Sequence, residues 1–528
     1  MTSCDASTSP IRFGITLVFE PISLLESRMV GRLDLRRSQE LRERSKLQLS
    51  TTLRYRHSSA RNFGGIVNRM NPAQVSVGEA VSFLDRFPDV EAVDLILYDG
   101  NGVGRGKIIR RSELVHVFEQ GVSLPASILG QEVCGEDVDA TGLVWDRGDG
   151  DMRAWPVSGT LKIVHGSTPL RGEMLISLYD LDGSPMPSDP RHVLERQIKR
   201  LADRGLRASA AFELEFFLLD NERDGNGAVR PANDVLDGRS TTATDVYSME
   251  KLQGMLPLFN EIYAAAEAAG IPIENMISEY APGQYELTVH YRDDVMQAAT
   301  DLMTLKRIVK QQARIQGITA CFMAKPMSEC AGSGMHCHLS LQNQEGQNAF
   351  AETDSELSPT LLHAIGGARR RIAESMLIFA PHANSWRRFV SESYAPVSPT
   401  WGINNRSVAL RIPDSEAGAR RIEHRVAGVD ANPLLVASVF IASIIEGLDQ
   451  GLDPGPQIEG NGYEVAPDSD SMPGDWAEAI RVAKKSSFLR EALGEEMHHT
   501  YVAVKEAEYI RVMRSIPEID YELYLYTV

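Results

Sequence analysis

The sequence has few cysteines, no long apolar run and no excess of positive charge. Its five cysteines are odd in number and form no C-x-x-C motif, which argues against a disulfide framework or a structural zinc site and fits a reducing cytoplasm. No run of about 18 apolar residues occurs, so no membrane-spanning helix is expected. The net charge of −18 argues against an extended nucleic-acid-binding surface. The cysteines are Cys4, Cys134, Cys321, Cys330 and Cys337.

The length of 528 residues favours two or three domains, and 43% hydrophobic with 24% charged residues is ordinary for a globular protein. Residues 1–70 differ, because 12 Lys and Arg against 6 Asp and Glu give them a net charge of +6, leaving −24 for the rest. They show little periodicity. We predict a disordered extension, or upstream sequence that precedes a start at Met70; an Arg/Ser-rich targeting peptide is the alternative.

The periodic part of the chain divides into a β-rich segment and a larger α/β segment. Residues 75–180 are predicted to form a small domain that contains a hairpin with arms at 90–98 and 105–109. In the second segment, Asp189-Pro190 predicts a helix start, with a cap followed by proline at the first helical position, and that helix ends before Gly205. Further helices are predicted at 248–269, 293–315, 359–379, 432–449, 475–489 and 495–514.

Four strand-like segments each carry one unusual polar face, because side chains alternate along a strand. Each alone is typical of a half-solvated strand. Together, carboxylates with an imidazole suit hard divalent cations, and the arginines suit phosphate or carboxylate groups. The combination predicts a site for metal-assisted phosphoryl transfer. The faces carry Glu213 and Glu215; His336, His338 and Ser340; Arg421, Glu423 and Arg425; and Glu286, with Glu279 one turn upstream.

Six ordered motifs resemble those of the glutamine synthetase family, and the resemblance covers about residues 75–528. They are Glu213-x-Glu215, residues 279–286 (EYAPGQYE), residues 332–340 (GSGMHCHLS), residues 384–388 (NSWRR), Asn405-Arg406 to Arg411-Ile412-Pro413, and residues 421–425 (RIEHR) with Ala431-Asn432-Pro433.

The resemblance implies an α+β fold, with a β-grasp amino-terminal domain at 75–180 and a catalytic domain at 185–528 made of an antiparallel sheet or half-barrel with flanking helices. It also implies a cytoplasmic homo-oligomer, a dodecamer of two stacked hexameric rings with active sites between adjacent subunits. Each site is expected to hold two Mg²⁺ or Mn²⁺ ions and to use ATP and glutamate, and no nucleic-acid or membrane partner is expected.

The same resemblance assigns roles to individual residues. The first metal is expected at Glu215, Glu279 and Glu286, and the second at Glu213, His336 and Glu423. His338, Ser340, Arg411 and Arg421 match nucleotide-contacting positions, and Gly332, Arg388 and Arg425 match glutamate-contacting positions. Arg406 matches the arginine that stabilises the transferring phosphoryl group. Because Arg406 and Arg411 have opposite parity, either a bulge intervenes or they act in different parts of the site.

Departures from the family pattern cluster where glutamine synthetase binds ammonia. Tyr394 stands at the position of the flap glutamate, and Glu392 lies two residues out of register. The loop that supplies an aspartate in the family corresponds to residues 123–127, which contain none. One interpretation is a drifted flap in which Glu392 is the substitute base. The other is a larger amine, with Tyr394 lining its pocket, as in the γ-glutamylpolyamine, γ-glutamylputrescine and other γ-glutamylamide synthetases, to which the pattern is similar.

The leading hypothesis is therefore an ATP-dependent ligase that joins the γ-carboxylate of glutamate to an organic amine, a polyamine or a monoamine, through γ-glutamyl phosphate. A glutamine synthetase that uses ammonia is the alternative. A non-catalytic member of the family is a third reading, and the retention of all six metal-ligand positions argues against it.

Overall fold

The fold is built on two β-sheets, and a computed structural model describes it for residues 71–225, 227–352, 356–465 and 471–528. The prediction for residues 1–70 lies outside this range. The first sheet comes from the segment before residue 180 and the second from the segment after residue 205. The strands of the first sheet are β1 Ala92–Tyr98, β2 Gly104–Arg110, β3 Val122–Pro125, β4 Asp151–Pro156, β5 Lys162–Ile163 and β6 Arg171–Tyr179.

The first sheet has the order β2-β1-β6-β4-β3, and β5 also pairs with β6. The predicted hairpin is confirmed, because β1 runs antiparallel to β2 and places Tyr98 opposite Gly104. The β1–β6 pair is parallel, which makes the sheet mixed. Two helices that the sequence analysis does not predict, Val77–Arg86 and Leu114–Gln120, accompany this sheet, with Phe83 and Phe118 in its core. The domain boundaries and the β-grasp assignment stay predictions.

The second sheet has eight strands in the order β12-β13-β14-β11-β7-β9-β8, and β10 also pairs with β7. Only the β12–β13 pair is parallel among its described pairs. A largely antiparallel sheet flanked by helices confirms the predicted α+β class. The strands are β7 Arg207–Asp220, β8 Ile273–Ser278, β9 Gln284–Val289, β10 Ile318–Cys321, β11 Cys337–Gln342, β12 Trp401–Ile403, β13 Leu410–Ile412 and β14 Ile422–His424.

Helix starts follow local capping signals. Asp189 accepts a hydrogen bond from the N–H of Arg191 at the start of Pro190–Ala202, and the Ser358 side chain caps Pro359–Phe379 in the same way. Three more helices, Val295–Ile315, Pro433–Gln450 and Glu495–Arg514, match or nearly match the predictions. The helices of the second segment are Pro190–Ala202, Met249–Gly254, Leu256–Ala268, Val295–Ile315, Pro359–Phe379, Pro433–Gln450, Trp476–Lys485, Ser487–Leu493, Glu495–Arg514 and Glu518–Tyr524.

Two predicted helices are wrong as single elements. The one at 248–269 divides at Met255, because Pro257 in the first turn of the second helix has no N–H to continue the preceding hydrogen-bond ladder. The one at 475–489 divides at Ser486, whose extended backbone ends one helix and whose hydroxyl caps the next. The helix Glu518–Tyr524 has no counterpart among the predictions.

One described helix, Pro433–Gln450, has the length and apolarity of a membrane span, with a mean hydropathy of 1.4, but 78% of it is buried inside the fold. It packs against Pro359–Phe379 and Pro190–Ala202. At the crossing with Pro359–Phe379, a Cβ added to Gly447 would lie 2.1 Å from the His363 carbonyl oxygen. Glycine therefore allows the two backbones to touch, and the helix belongs to the core.

Candidate active site

A cavity of about 520 Å³ opens beside the second sheet and collects most of the predicted site residues. Twelve of the sixteen line it: Glu213, Glu215, Glu279, Glu286, Gly332, His336, Arg388, Tyr394, Arg406, Arg411, Glu423 and Arg425. We call it the central cavity.

Strand register brings the carboxylates of the central cavity together. Glu215 on β7 lies directly opposite Glu286 on β9, and Glu423 on β14 lies opposite both Arg411 on β13 and His338 on β11. Residues opposite each other across a ladder share a face of the sheet. The alternation seen in the sequence therefore extends across five neighbouring strands.

Two groups of side chains have the spacing of metal ligands. One ligand atom each from Glu213, His336 and Glu423 lie within 4.8 Å of one another, and so do those of Glu215, Glu286 and His336. The first group is the set expected for the second metal. In the other, His336 stands with Glu215 and Glu286, while Glu279 lies on the same cavity wall.

The carboxylates of the cavity repel one another strongly. Burial, together with the charges of Glu213, Glu215 and Glu279, raises the pKa of Glu286 to about 10, and burial with the charge of Glu215 raises the pKa of Glu279 to about 7. A divalent cation relieves such crowding, and carboxylate oxygens with one imidazole suit Mg²⁺ or Mn²⁺. The residues present therefore fit the metals that the resemblance implies.

Glu213 connects the predicted metal ligands to the predicted nucleotide residues. Its two oxygens lie 2.6 Å from His336 Nδ1 and 2.9 Å from His338 Nε2. Although burial acts to raise the pKa of Glu213, the two imidazoles hold it well below its usual range. Glu213 thus remains an anion between two histidines.

The arginines fall into a buried set and an exposed one. Arg388 is buried and donates to the carbonyl oxygens of Val426 at 2.7 Å and Arg425 at 3.2 Å. Arg411 Nη1 donates to Glu423 Oε2 at 2.7 Å, and buried Arg425 donates to the other oxygen of the same carboxylate. These bonds hold guanidinium groups in fixed positions at the cavity wall.

Arg406 is exposed and lies in the connection between β12 and β13, with Nη1 3.5 Å from the Tyr247 hydroxyl. The parity conflict with Arg411 therefore has a simple answer. Only Arg411 belongs to a strand, and a loop places Arg406 at the same cavity.

A second cavity, of about 590 Å³, adjoins the first. His338, Ser340 and Arg421, three of the four predicted nucleotide residues, line it, whereas Arg411 lines the central cavity. Arg421 Nε donates to His338 Nδ1 at 3.3 Å, which orients both side chains. Because Glu213 lines both cavities, a ligand in the second one can contact a carboxylate that is predicted to bind metal.

The two candidate residues of the predicted flap, Glu392 and Tyr394, have different positions relative to the central cavity. Glu392 and Tyr394 both have left-handed backbone conformations, with φ of 62° and 61°, which are costly for residues with a Cβ and concentrate at functional sites. Tyr394 lines the central cavity, while Glu392 is exposed and is absent from the described lining, as are residues 123–127.

The lining also includes residues that the sequence analysis did not assign, among them Tyr247, Tyr280 and Gln284. Gln284 Nε2 donates to the Gly332 carbonyl at 3.0 Å and approaches Glu215 at 3.4 Å, so it connects two predicted subsites. Tyr280 and Gln284 lie within the motif at 279–286, which was a usable signal. Tyr247 lies in an irregular segment that carries none.

Comparison with known proteins agrees with this geometry. The sequence model described as "Glutamine synthetase, catalytic domain" matches residues 187–524. Gamma-glutamylputrescine synthetase PuuA of Escherichia coli (strain K12) is 38% identical over 444 residues, 84% of this chain and 93% of the relative. A glutamate–isopropylamine ligase of Pseudomonas sp is 30% identical over 79% of this chain and 91% of the relative. A glutamine synthetase of Halobacterium salinarum is 31% identical over 71% of this chain and 83% of the relative.

The fold has solved counterparts. A GmaS/ADP complex superposes with a TM-score of 0.74 over 85% of this chain and 100% of that chain, at 24% identity. GmaS without ligand superposes with a TM-score of 0.73 over 84% of this chain and 98% of that chain. The family model spans well over half of the chain, and PuuA is 38% identical over 84% of it. The chain therefore belongs to the glutamine synthetase family.

Proposed function

We propose that the protein is an ATP-dependent ligase that joins the γ-carboxylate of L-glutamate to an organic amine through γ-glutamyl phosphate. The observation that carries the proposal is one cavity in which five glutamates, His336 and four arginines converge while a tyrosine occupies the flap position. The similarity to ligases named for putrescine and isopropylamine supports an organic amine as the second substrate.

Glutamate would bind at the buried arginines. Arg388 and Arg425 keep guanidinium groups at the wall, where they pair with carboxylates in a fixed geometry. Gly332 leaves room beside them, because a Cβ there would lie 2.7 Å from Arg388 Cγ. Glycine at 332 therefore lets the Arg388 side chain pack directly against the main chain of the cavity wall.

The nucleotide would occupy the second cavity, with His338, Ser340 and Arg421 around it and its phosphates directed toward Glu213. Glu213, His336 and Glu423 would hold the metal on this side, and Glu215, Glu279 and Glu286 the metal beside glutamate. When bound, the cations offset phosphate charge and polarise the γ-phosphoryl group. Exposed Arg406 would stabilise the charge of the transferring group, which its loop position leaves it free to approach.

Phosphoryl transfer turns the poorly reactive γ-carboxylate into an acyl phosphate. The amine attacks this carbonyl as the uncharged base, so its nitrogen must lose a proton before the C–N bond forms and inorganic phosphate leaves. Tyr394 supports an organic amine, because a phenol ring offers apolar and cation–π contact where a glutamate would bind ammonium.

A glutamine synthetase that uses ammonia is the second candidate, supported by the similarity to glutamine synthetases. In that case Glu392 would serve as the base, and the exposed flap would have to swing it into the cavity. The exposed position of Glu392 favours the organic amine over this alternative.

The deciding experiment is phosphate release with ATP, Mg²⁺ and glutamate across ammonium, methylamine, isopropylamine, ethanolamine, putrescine and spermidine. We expect strong dependence on one organic amine and little release with ammonium. Omitting glutamate controls for ATPase activity. Preference for ammonium would favour the alternative, and no amine-dependent release would favour a non-catalytic protein.

The domain organisation and the oligomeric state are also proposals. We assign residues 75–180 to the β-grasp domain and 185–528 to the catalytic domain, and we propose a cytoplasmic dodecamer of two hexameric rings. The unpaired cysteines among the described residues suit a reducing compartment. Light scattering should give a mass twelve times that of the 58.3 kDa chain; a monomer or dimer mass would contradict the assembly.

A further inference from the structure

Two exposed tyrosines face the same part of the central cavity. The ring centroids of Tyr280 and Tyr394 are 6.5 Å apart, with their planes inclined by 54°. The two residues are 51% and 60% exposed, although both line the cavity. Side chains of this size usually bury their rings in a core or an interface. Here both rings remain open to a ligand.

Local structure holds the pair beside the reacting groups. Tyr280 directly follows Glu279, and its N–H donates to Glu279 Oε2 at 3.0 Å. Tyr394 follows Ser393, whose hydroxyl donates to the Val390 carbonyl at 2.6 Å and approaches the Arg388 carbonyl at 3.2 Å. One ring is therefore tied to a proposed metal-binding carboxylate and the other to a proposed glutamate-binding arginine.

The chemistry of the pair matches a cation on a hydrocarbon chain. The two ring centroids, 6.5 Å apart, are close enough for one ammonium group to lie within about 6 Å of both, which is the reach of a cation–π contact. An aliphatic end would gain no such electrostatic attraction. Ile277 and Val246 line the same cavity and supply apolar contact for methylene groups. A cation at the rings cannot be the nucleophile, because the attacking nitrogen must be uncharged.

We propose that the amine substrate is an aliphatic diamine or polyamine, and that Tyr280 and Tyr394 together hold its distal ammonium while the other nitrogen attacks. This inference rests on the proposed function and adds the substrate class and Tyr280 as a specificity residue. The distal nitrogen stays protonated throughout, whereas the attacking nitrogen loses one proton before it attacks and a second as the amide forms and phosphate leaves.

The test compares putrescine with butylamine, which has the same carbon chain but no distal ammonium. The wild-type protein should have a higher kcat/KM for putrescine. Replacing Tyr280 or Tyr394 by leucine should lower kcat/KM for putrescine about 3- to 30-fold, mainly through KM, the range expected for a lost cation–π contact. The loss for butylamine should be smaller than the loss for putrescine, because butylamine has no distal ammonium for the rings to hold, and the ratio of the two kcat/KM values is the readout.

Phenylalanine variants separate the ring from the hydroxyl. Tyr280→Phe and Tyr394→Phe keep the aromatic faces and should retain the preference for putrescine. Tyr263→Leu, on the helix Leu256–Ala268 and away from both cavities, is the matched control.

Equal use of putrescine and butylamine by the wild-type protein, or an equal loss for both amines in the leucine variants, would overturn the inference and leave the ligase function intact. Absence of turnover with every organic amine would overturn both.

Discussion

The charge of Glu423 should support the fold as well as the reaction. Its side chain is 1% exposed and accepts hydrogen bonds from Arg411 and Arg425. Although burial acts to raise it, His338, Arg425 and His336 lower the pKa of Glu423 from 4.5 to about 2. At about 1.4 kcal/mol for each pKa unit, this depression corresponds to about 3 kcal/mol of stabilisation by the ionised form.

The change Glu423→Gln removes the charge and keeps the shape. We expect the free energy of unfolding of the metal-free protein to fall by about 3 kcal/mol near neutral pH, because two guanidinium groups lose their counter-charge. The pKa is depressed in the folded state, so the stabilisation is present above pH 4.5 and is lost as the pH falls toward 2. The difference between variant and wild type should therefore shrink across that interval.

Urea unfolding in EDTA, at matched protein concentration, measures this difference near neutral pH and again between pH 4.5 and 2. Glu416→Gln is the control, since Glu416 is exposed and lies outside both cavities. A loss below about 1 kcal/mol, the size of an exposed ion pair, would refute the reasoning. So would a difference that grows as the pH falls.

Three further predictions concern the reaction and the core. His336→Ala should abolish amine-dependent phosphate release and the rise in melting temperature on adding Mg²⁺, because it belongs to both metal-ligand groups; near-normal turnover would contradict the assignment. Tyr394→Glu should raise turnover with ammonium relative to organic amines, and an unchanged ratio would move the selectivity elsewhere. Gly447→Ala should destabilise the protein by about 1–3 kcal/mol, because the new Cβ would lie 2.1 Å from the His363 carbonyl oxygen. Gly225 has open space where a Cβ would stand, so the control variant Gly225→Ala should unfold at the wild-type temperature.

Much of the fold could be predicted because its signals are local. The helix Pro359–Phe379 has the predicted bounds, since Ser358 and Pro359 specify its start through a side-chain cap and a preset backbone angle. The helix at 248–269 is predicted as continuous, but Pro257 lacks the N–H that a continuous hydrogen-bond ladder needs, and the structure divides the helix at Met255.

The site could be predicted only as separate pieces. Alternation along one strand placed Glu213 and Glu215 on one face, but the position of Glu286 opposite Glu215 depends on the register between β7 and β9. The opposite parity of Arg406 and Arg411 leaves a bulge or different parts of the site as alternatives, and only the loop between β12 and β13 explains how Arg406 reaches the cavity of Arg411.

The sequence by itself therefore determined the elements, the faces of the strands and, through ordered motifs, the family. Periodicity and capping act within a few residues, so they can be read along the chain. The tertiary structure alone decided the separation of the two cavities, the closeness of Tyr280 to Tyr394 and the contact of Gly447 with the His363 backbone. These features join residues distant in sequence, and their geometry follows from strand register and helix packing, which no local pattern specifies.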